Sequence, residues 1–244
     1  MRVREDVKMN RLHSLFALAL TLAFLLSSCA LPRITSRTVY EDPTNFIRVE
    51  ADPTVFDEIP ATVHAHPVSI DTRVMADILR GFSVREHRNA LQRFIAGEAP
   101  REPVFRKDEI DLLADRIVEG LAQATPYERV TFYLSRPQTS IKREITSGGL
   151  YVSSVHLHFI LGNHRIIYGI PAYGMVYDRR YPTMPISAKG FDLFFEPARA
   201  VVLRPVSLWD RMLGHEKDET VIDLSKLGSS GSTARWFSGR IPIS

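Results

Sequence analysis

The chain predicts an α+β domain: a mainly antiparallel sheet covered by one amphipathic helix over about residues 107–123 and by a few short helices. Three observations carry this. Ile110, Leu113, Ala114, Ile117, Val118 and Leu121 recur at helical spacing and draw one apolar stripe. Several stretches downstream alternate apolar and polar residues with the period of two that marks a strand. Short turn signals separate those stretches, and the crossover helices that parallel strands require are missing.

The elements follow in chain order. Asn45–Glu50 and Thr54–Ile59 read as extended pieces separated by the turn-forming Asp52-Pro53, and Pro60 and Pro67 keep the region from being helical. Asp71 caps a short helix with Val74, Ile78 and Met75 turned inward, and Gly81 ends it. Phe82, Val84 and Leu91–Ile95 are apolar without a clear period. For the long helix Asp108 is the expected N-cap, Asp111, Asp115, Arg116 and Glu119 face outward, and Pro126 confirms the stop.

Val130, Phe132 and Leu134 then alternate with Thr131 and Tyr133, as in a half-buried strand. Ile141–Thr146 predicts the next strand, Ser147-Gly148-Gly149 a turn or bulge, and Leu150–Leu161 a long strand. Gly162-Asn163 is a tight-turn signal, from which Arg165–Tyr168 returns antiparallel. Phe191–Phe195 and Ala200–Leu203 add two strands on either side of Glu196-Pro197, and Val206–Leu213 reads as a short helix. Gly228–Thr233 is a linker by composition, and the tail beyond it carries Trp236, Phe237, Ile241 and Ile243.

The first thirty residues have another purpose. Arg2, Arg4, Lys8 and Arg11 precede an apolar run from Leu15 to Leu26, and both Met1 and Met9 qualify as the start. Twelve helical residues span about 18 Å, short of the roughly 30 Å hydrocarbon core of a bilayer. This describes a secretory signal peptide rather than a spanning helix. The run ends in Leu26-Ser27-Ser28-Cys29, which resembles the lipobox of bacterial lipoproteins. The resemblance covers the export segment alone. It implies cleavage before Cys29, a thioether-linked diacylglycerol on that cysteine and an acyl chain, such as palmitate, on the new amino group. By the same resemblance Ala30, where some lipoproteins carry an aspartate that retains them in the inner membrane, favours the periplasmic face of the outer membrane. Cys29 is the one cysteine, so the expected mature chain forms no internal disulfide.

The expected organisation is a signal peptide (1–28), a lipidated tether (29–37), a single α+β domain (38–213) and a charged, Gly/Ser-rich C-terminal segment (214–244). Without its leader the chain holds 27 basic and 26 acidic residues, well mixed, which offers no basic patch for nucleic acid. No internal repeat or second long apolar run appears.

Candidate chemistry is sparse. His64 with His66, and His156 with His158, are His-x-His pairs. Two apart on a strand, such imidazoles share a face with Cα atoms about 6.5–7 Å apart and can converge on a metal ion. A zinc site wants three or four ligands, no cysteine is available, and the pairs are far apart in the chain. Polar members of half-exposed strands explain them as well. Nucleophile-elbow, Ser-x-x-Lys, HExxH and phosphate-loop motifs are absent. No cofactor is implied. The stretch Tyr168–Pro185 interleaves Tyr173, Tyr177, Arg179, Arg180 and Tyr181 with glycines, prolines and methionines, a composition suited to a partner-binding loop. The expectation is therefore a non-catalytic accessory or scaffold in an envelope assembly or secretion system, with membrane and protein partners. The alternatives are a ligand- or metal-binding module using the paired histidines, and a hydrolase acting on envelope polymers.

Overall fold

The computed structural model describes residues 35–57, 63–169, 182–186, 190–203 and 219–227. The expected leader with Cys29, the expected helix 206–213 and the tail beyond 227 lie outside them.

Among the described residues nine strands form two antiparallel sheets. The larger comprises β1 (Ser36–Glu41), β2 (Phe46–Ala51), β5 (Glu128–Pro137), β6 (Lys142–Ser153), β7 (His156–Gly169) and β9 (Glu219–Asp223), in the order β1-β2-β5-β6-β7-β9. The smaller has β3 (Phe82–Glu86) between β4 (Arg101–Pro103) and β8 (Phe191–Phe195). Four α-helices accompany them: α1 (Thr54–Asp57), α2 (Thr72–Gly81), α3 (Ala90–Ala96) and α4 (Lys107–Gln123). No helix among the described residues is long and apolar enough to cross a membrane.

The α+β class and the covering helix agree with the expectation, because the apolar stripe of α4 has one place to go. Ile110, Leu113, Ala114, Ile117 and Leu121 join Val49, Val130, Phe132, Leu150, Leu157 and Phe159 in a single core. Phe132 stacks on Phe159, with ring centroids 6.1 Å apart, and Phe105 meets both edge-on. Helix α2 adds Met75, Ile78 and Leu79 to this core, and Asp71 caps it by accepting from the Arg73 amide at 2.8 Å.

Several local expectations need correction. The N-cap of α4 is Arg106, whose amide donates to Glu109 at 2.8 Å, while Asp108 instead pairs with Arg136. Thr54–Asp57 is a helical turn rather than extended, because Asp52 accepts from both the amide and the hydroxyl of Thr54. Strand β5 is not half-buried: all of Arg129–Ser135 is buried, since something covers its second face as well. The glycines at 148 and 149 mark a bulge inside one continuous strand, with register shifts between Ile145 and Gly148. The hairpin turn falls instead at Ser154-Val155, where Ser154 has φ 55°. Gly162-Asn163 makes no turn, so Arg165–Tyr168 continues β7. Ala200–Leu203 forms no strand: a 3₁₀ turn ends at Ala200, and Val201 makes one bridge to Ile222. The sheet also takes in Ser36 and Arg37, expected in the tether, and Glu219–Asp223, expected in the C-terminal segment.

Candidate functional site: the buried polar face of the large sheet

Residues that alternate with the core positions project from the opposite face of the sheet. The register places Arg48 opposite Thr131, Glu50 opposite Arg129, and Tyr151 opposite His158. This face is polar but not wet. Glu50 is 1 % exposed, Asp52 0 %, Thr131 0 %, His158 5 % and Arg129 7 %. Buried charge on this scale must be paired or shift its ionisation.

Asp52 is the best-satisfied group. It accepts from Arg129 Nη1 at 3.3 Å and from His64 Nε2 at 3.1 Å, besides capping α1. Burial alone pushes its carboxyl up, but the His64 hydrogen bond, the Arg129 charge and the Thr54 bonds outweigh it and hold the pKa down at about 2. An ionised Asp52 only accepts, so His64 Nε2 carries the proton. The His64 ring stacks on Tyr151 at 4.1 Å, and Tyr151 stacks on His158 at 4.5 Å. At the far end Glu219 Oε1 accepts from the Tyr151 hydroxyl at 2.7 Å and from His158 Nδ1 at 2.5 Å. A row of rings and hydrogen bonds thus runs from Arg129 to His158.

The fold therefore brings three of the four paired histidines together, His64, His66 and His158, while His156 opens β7 outside the row. Each of the three has an assigned task. Val152 N–H donates to His66 Nε2 at 2.9 Å, so this imidazole stands in for a backbone carbonyl where β5 no longer accompanies β6. Burial, and then the neighbouring His64, push its pKa down to about 4, which suits an acceptor. Among the described residues no group of three or more His, Cys, Asp or Glu side chains is arranged to hold a metal ion.

Glu50 behaves oppositely to Asp52. Burial raises its pKa, outweighing Thr131, Arg129 and Arg48. Its Oε2 lacks a hydrogen-bond partner, as do Arg48 Nε and Arg129 Nε beside it. Two carboxylates two residues apart thus have their pKa values driven in opposite directions by their different surroundings. Both are sealed from solvent. A cleft of about 230 Å³ at the start of α4 is more open, but its carboxylates Asp108, Glu109 and Glu144 are spent on Arg106 and Arg136.

What covers the polar face includes the far root of the Tyr/Arg loop. Ser147 Oγ donates to the Pro182 carbonyl at 2.7 Å, and Arg129 Nη2 donates to Thr183 Oγ1 at 3.0 Å. Asn163, fully buried, donates to the Met184 carbonyl and accepts from the Ile186 amide, each at 2.9 Å. Two glycines leave the room: a Cβ on Gly162 would meet the Pro182 carbonyl at 2.7 Å, and one on Gly149 would meet Thr183 at 2.9 Å. Tyr173, Tyr177, Arg179, Arg180 and Tyr181 themselves lie outside the described residues.

Glu50, Asp52, Arg129, Tyr151, Asn163 and Glu219 are site residues that the histidine spacing does not reveal. One signal was present. Glycines within strand-forming stretches point to close backbone approach, and polar residues opposite them mark the face being approached.

Comparison with protein-family models, with curated protein sequences and with solved structures yields no match. The chain is thus defined by its own geometry: an α+β domain whose sheet carries the main apolar core on one face and, on the other, buried charged and polar groups beside a small cluster of Phe46, Tyr133 and Ile145.

Proposed function

We propose that this chain is a bacterial lipoprotein, held by lipid on Cys29 at the periplasmic face of the outer membrane. Its domain serves as a non-catalytic accessory or scaffold in an envelope assembly or secretion system. The anchor rests on Leu26-Ser27-Ser28-Cys29, with Ala30 favouring the outer membrane. The docking role rests on one observation above others: the Tyr/Arg loop leaves β7 at Gly169 and returns at Pro182 to a root stitched into the sheet by Ser147, Arg129 and Asn163. A loop on a rigid root presents its side chains without first ordering its ends, which lowers the entropic cost of binding. Asp52, His64, Arg129, Tyr151 and Glu219 on the polar face are engaged with one another, which favours a supporting over a reacting role.

The experiment is a cross-linked pull-down of the tagged full-length protein from native membranes, with unrelated lipoproteins as control. A specific, near-stoichiometric partner is expected, lost when Tyr177, Arg179 and Arg180 are replaced together by alanine. A partner retained by that variant removes the loop as the interface. No capture above the control removes the accessory role.

A further inference from the structure

Helix α3 is shaped to be exposed. Its seven residues bury no side chain, and Leu91, Phe94 and Ile95 are 68 %, 90 % and 74 % exposed. Their spacing puts all three on one face. A helix this short is not held by its own hydrogen bonds in water, so its ends are secured instead. Asn89 N–H donates to Gln92 Oε1 at 2.9 Å, and Gln92 N–H donates to Asn89 Oδ1 at 2.8 Å. At the other end Arg88 Nη1 donates to the carbonyls of Ala96 and Gly97, each at 3.0 Å, and Gly97 adopts φ 69°. The β3–β4 hairpin that carries the helix is itself pinned to the large sheet, where Arg165 on β7 reaches Glu102 and the Pro103 carbonyl. The apolar trio is thus displayed on a fixed frame.

Size and charge select the occupant. A stable protein interface buries about 800 Å² on each partner, drawn from some 20–30 residues, and three side chains on two turns fall well short of that. A lipid surface accepts so small a wedge: aromatic and aliphatic residues with arginine on the polar side suit the boundary between headgroups and acyl chains. The helix holds Arg93 and no acidic residue, Arg88 precedes it, and Glu98 beyond it pairs with Arg93 at 4.0 Å. Reach points the same way. Strand β1 begins at Ser36, and the seven residues from Cys29 to Thr35 span at most about 25 Å fully extended. A domain on so short a lead stays at the membrane surface.

We propose that α3 seats Leu91, Phe94 and Ile95 in the bilayer leaflet that holds the lipid on Cys29, as a second membrane contact beside the anchor. This rests on the lipoprotein reading. The test places a tryptophan at Phe94 in the full-length lipidated chain with Trp209 and Trp236 changed to phenylalanine. The chain is reconstituted into phosphatidylethanolamine–phosphatidylglycerol vesicles with and without brominated acyl chains. Emission from Phe94→Trp should fall by roughly half in the brominated vesicles, as for a side chain at acyl-boundary depth. Emission from Lys107→Trp, at a side chain 90 % exposed on α4, should not change. Equal emission from Phe94→Trp in both vesicles, with the chain still floating with them, overturns the membrane seat and leaves α3 to a protein partner. The mass of the N-terminal peptide reads the anchor separately. An unmodified Cys29 overturns the lipoprotein reading and this one with it, whereas a lipidated Cys29 without quenching overturns the α3 contact alone.

Discussion

The two faces of the large sheet both bury side chains but are assembled by different means. On one, Val130, Phe132, Leu150, Leu157 and Phe159 meet the stripe of α4, and almost every contact is between apolar atoms. On the other, Asp52, Arg129, His64, Tyr151, His158 and Glu219 are held in place by hydrogen bonds and ring stacking, with Glu50 buried beside them. The apolar face tolerates imperfect geometry because the hydrophobic effect is non-directional. The polar face does not, because a charge left without its partner there carries the full cost of desolvation. The first face therefore makes the fold, and the second makes it particular.

The largest expected effect tests the apolar side. Phe132→Ala should lower unfolding free energy by about 3–5 kcal/mol, equally at all pH values, as read by denaturant titration. Next, Asp52→Ala strands Arg129 in the interior and should cost about 3 kcal/mol at neutral pH. Its effect should depend on pH. The folded pKa of Asp52 lies near 2, below its ordinary 3.8, so its contribution is complete above that ordinary value and is lost as pH falls through about 2. His66 acts at higher pH: with its pKa pushed from 6.5 to about 4, its contribution is complete above 6.5 and is lost as pH falls to about 4. Acid should then weaken the protein in two ranges, an upper one shared by His66 and His164 and a lower one shared by Asp52 with Asp42, Glu128 and Asp223, and Asp52→Ala should shrink only the lower. A pH-independent loss in Asp52→Ala would break the contrast between the faces.

Smaller changes sharpen it. Asn163→Ala leaves the Met184 carbonyl and the Ile186 amide without their partner and should cost about 1–3 kcal/mol. The protein should remain folded by circular dichroism while the 182–186 segment becomes susceptible to proteolysis. Glu50→Gln has the opposite sign. Because burial raises the Glu50 pKa, its contribution is full below the ordinary 4.5 and is lost as pH rises through the folded value. Removing that charge should stabilise the protein at pH 7 by less than the Asp52 loss, seen as a raised Tm that vanishes in acid.

Legibility divided along the same line. The stripe of α4 and the alternation of Val130–Leu134 could be read directly, because a side chain's place on a helix or strand follows from local geometry alone. Asp71 was readable as a cap for the same reason. The cap of α4 was not: Asp108 has the usual chemistry, but Arg136 on β5 takes it away, and that pairing is distant in sequence. Gly162-Asn163 looked like a hairpin turn. In fact the glycine admits the Pro182 segment and the asparagine holds it. The histidine spacing suggested ligands, yet Val152, Asp52 and Glu219 claim the imidazoles first.

The class of the fold, the covering helix and most strands were thus legible in the chain alone, since periodicity follows from bond geometry and needs no knowledge of what lies opposite. The chain also carries Leu26-Ser27-Ser28-Cys29, on which the proposed lipid anchor rests. Only the tertiary structure decided that the second face is closed, that Glu50 and Asp52 differ in ionisation, and that Phe94 is left in the open. Each depends on which groups from distant parts of the chain arrive beside it, and the energy of a polar or apolar group is set by those neighbours and the water they exclude.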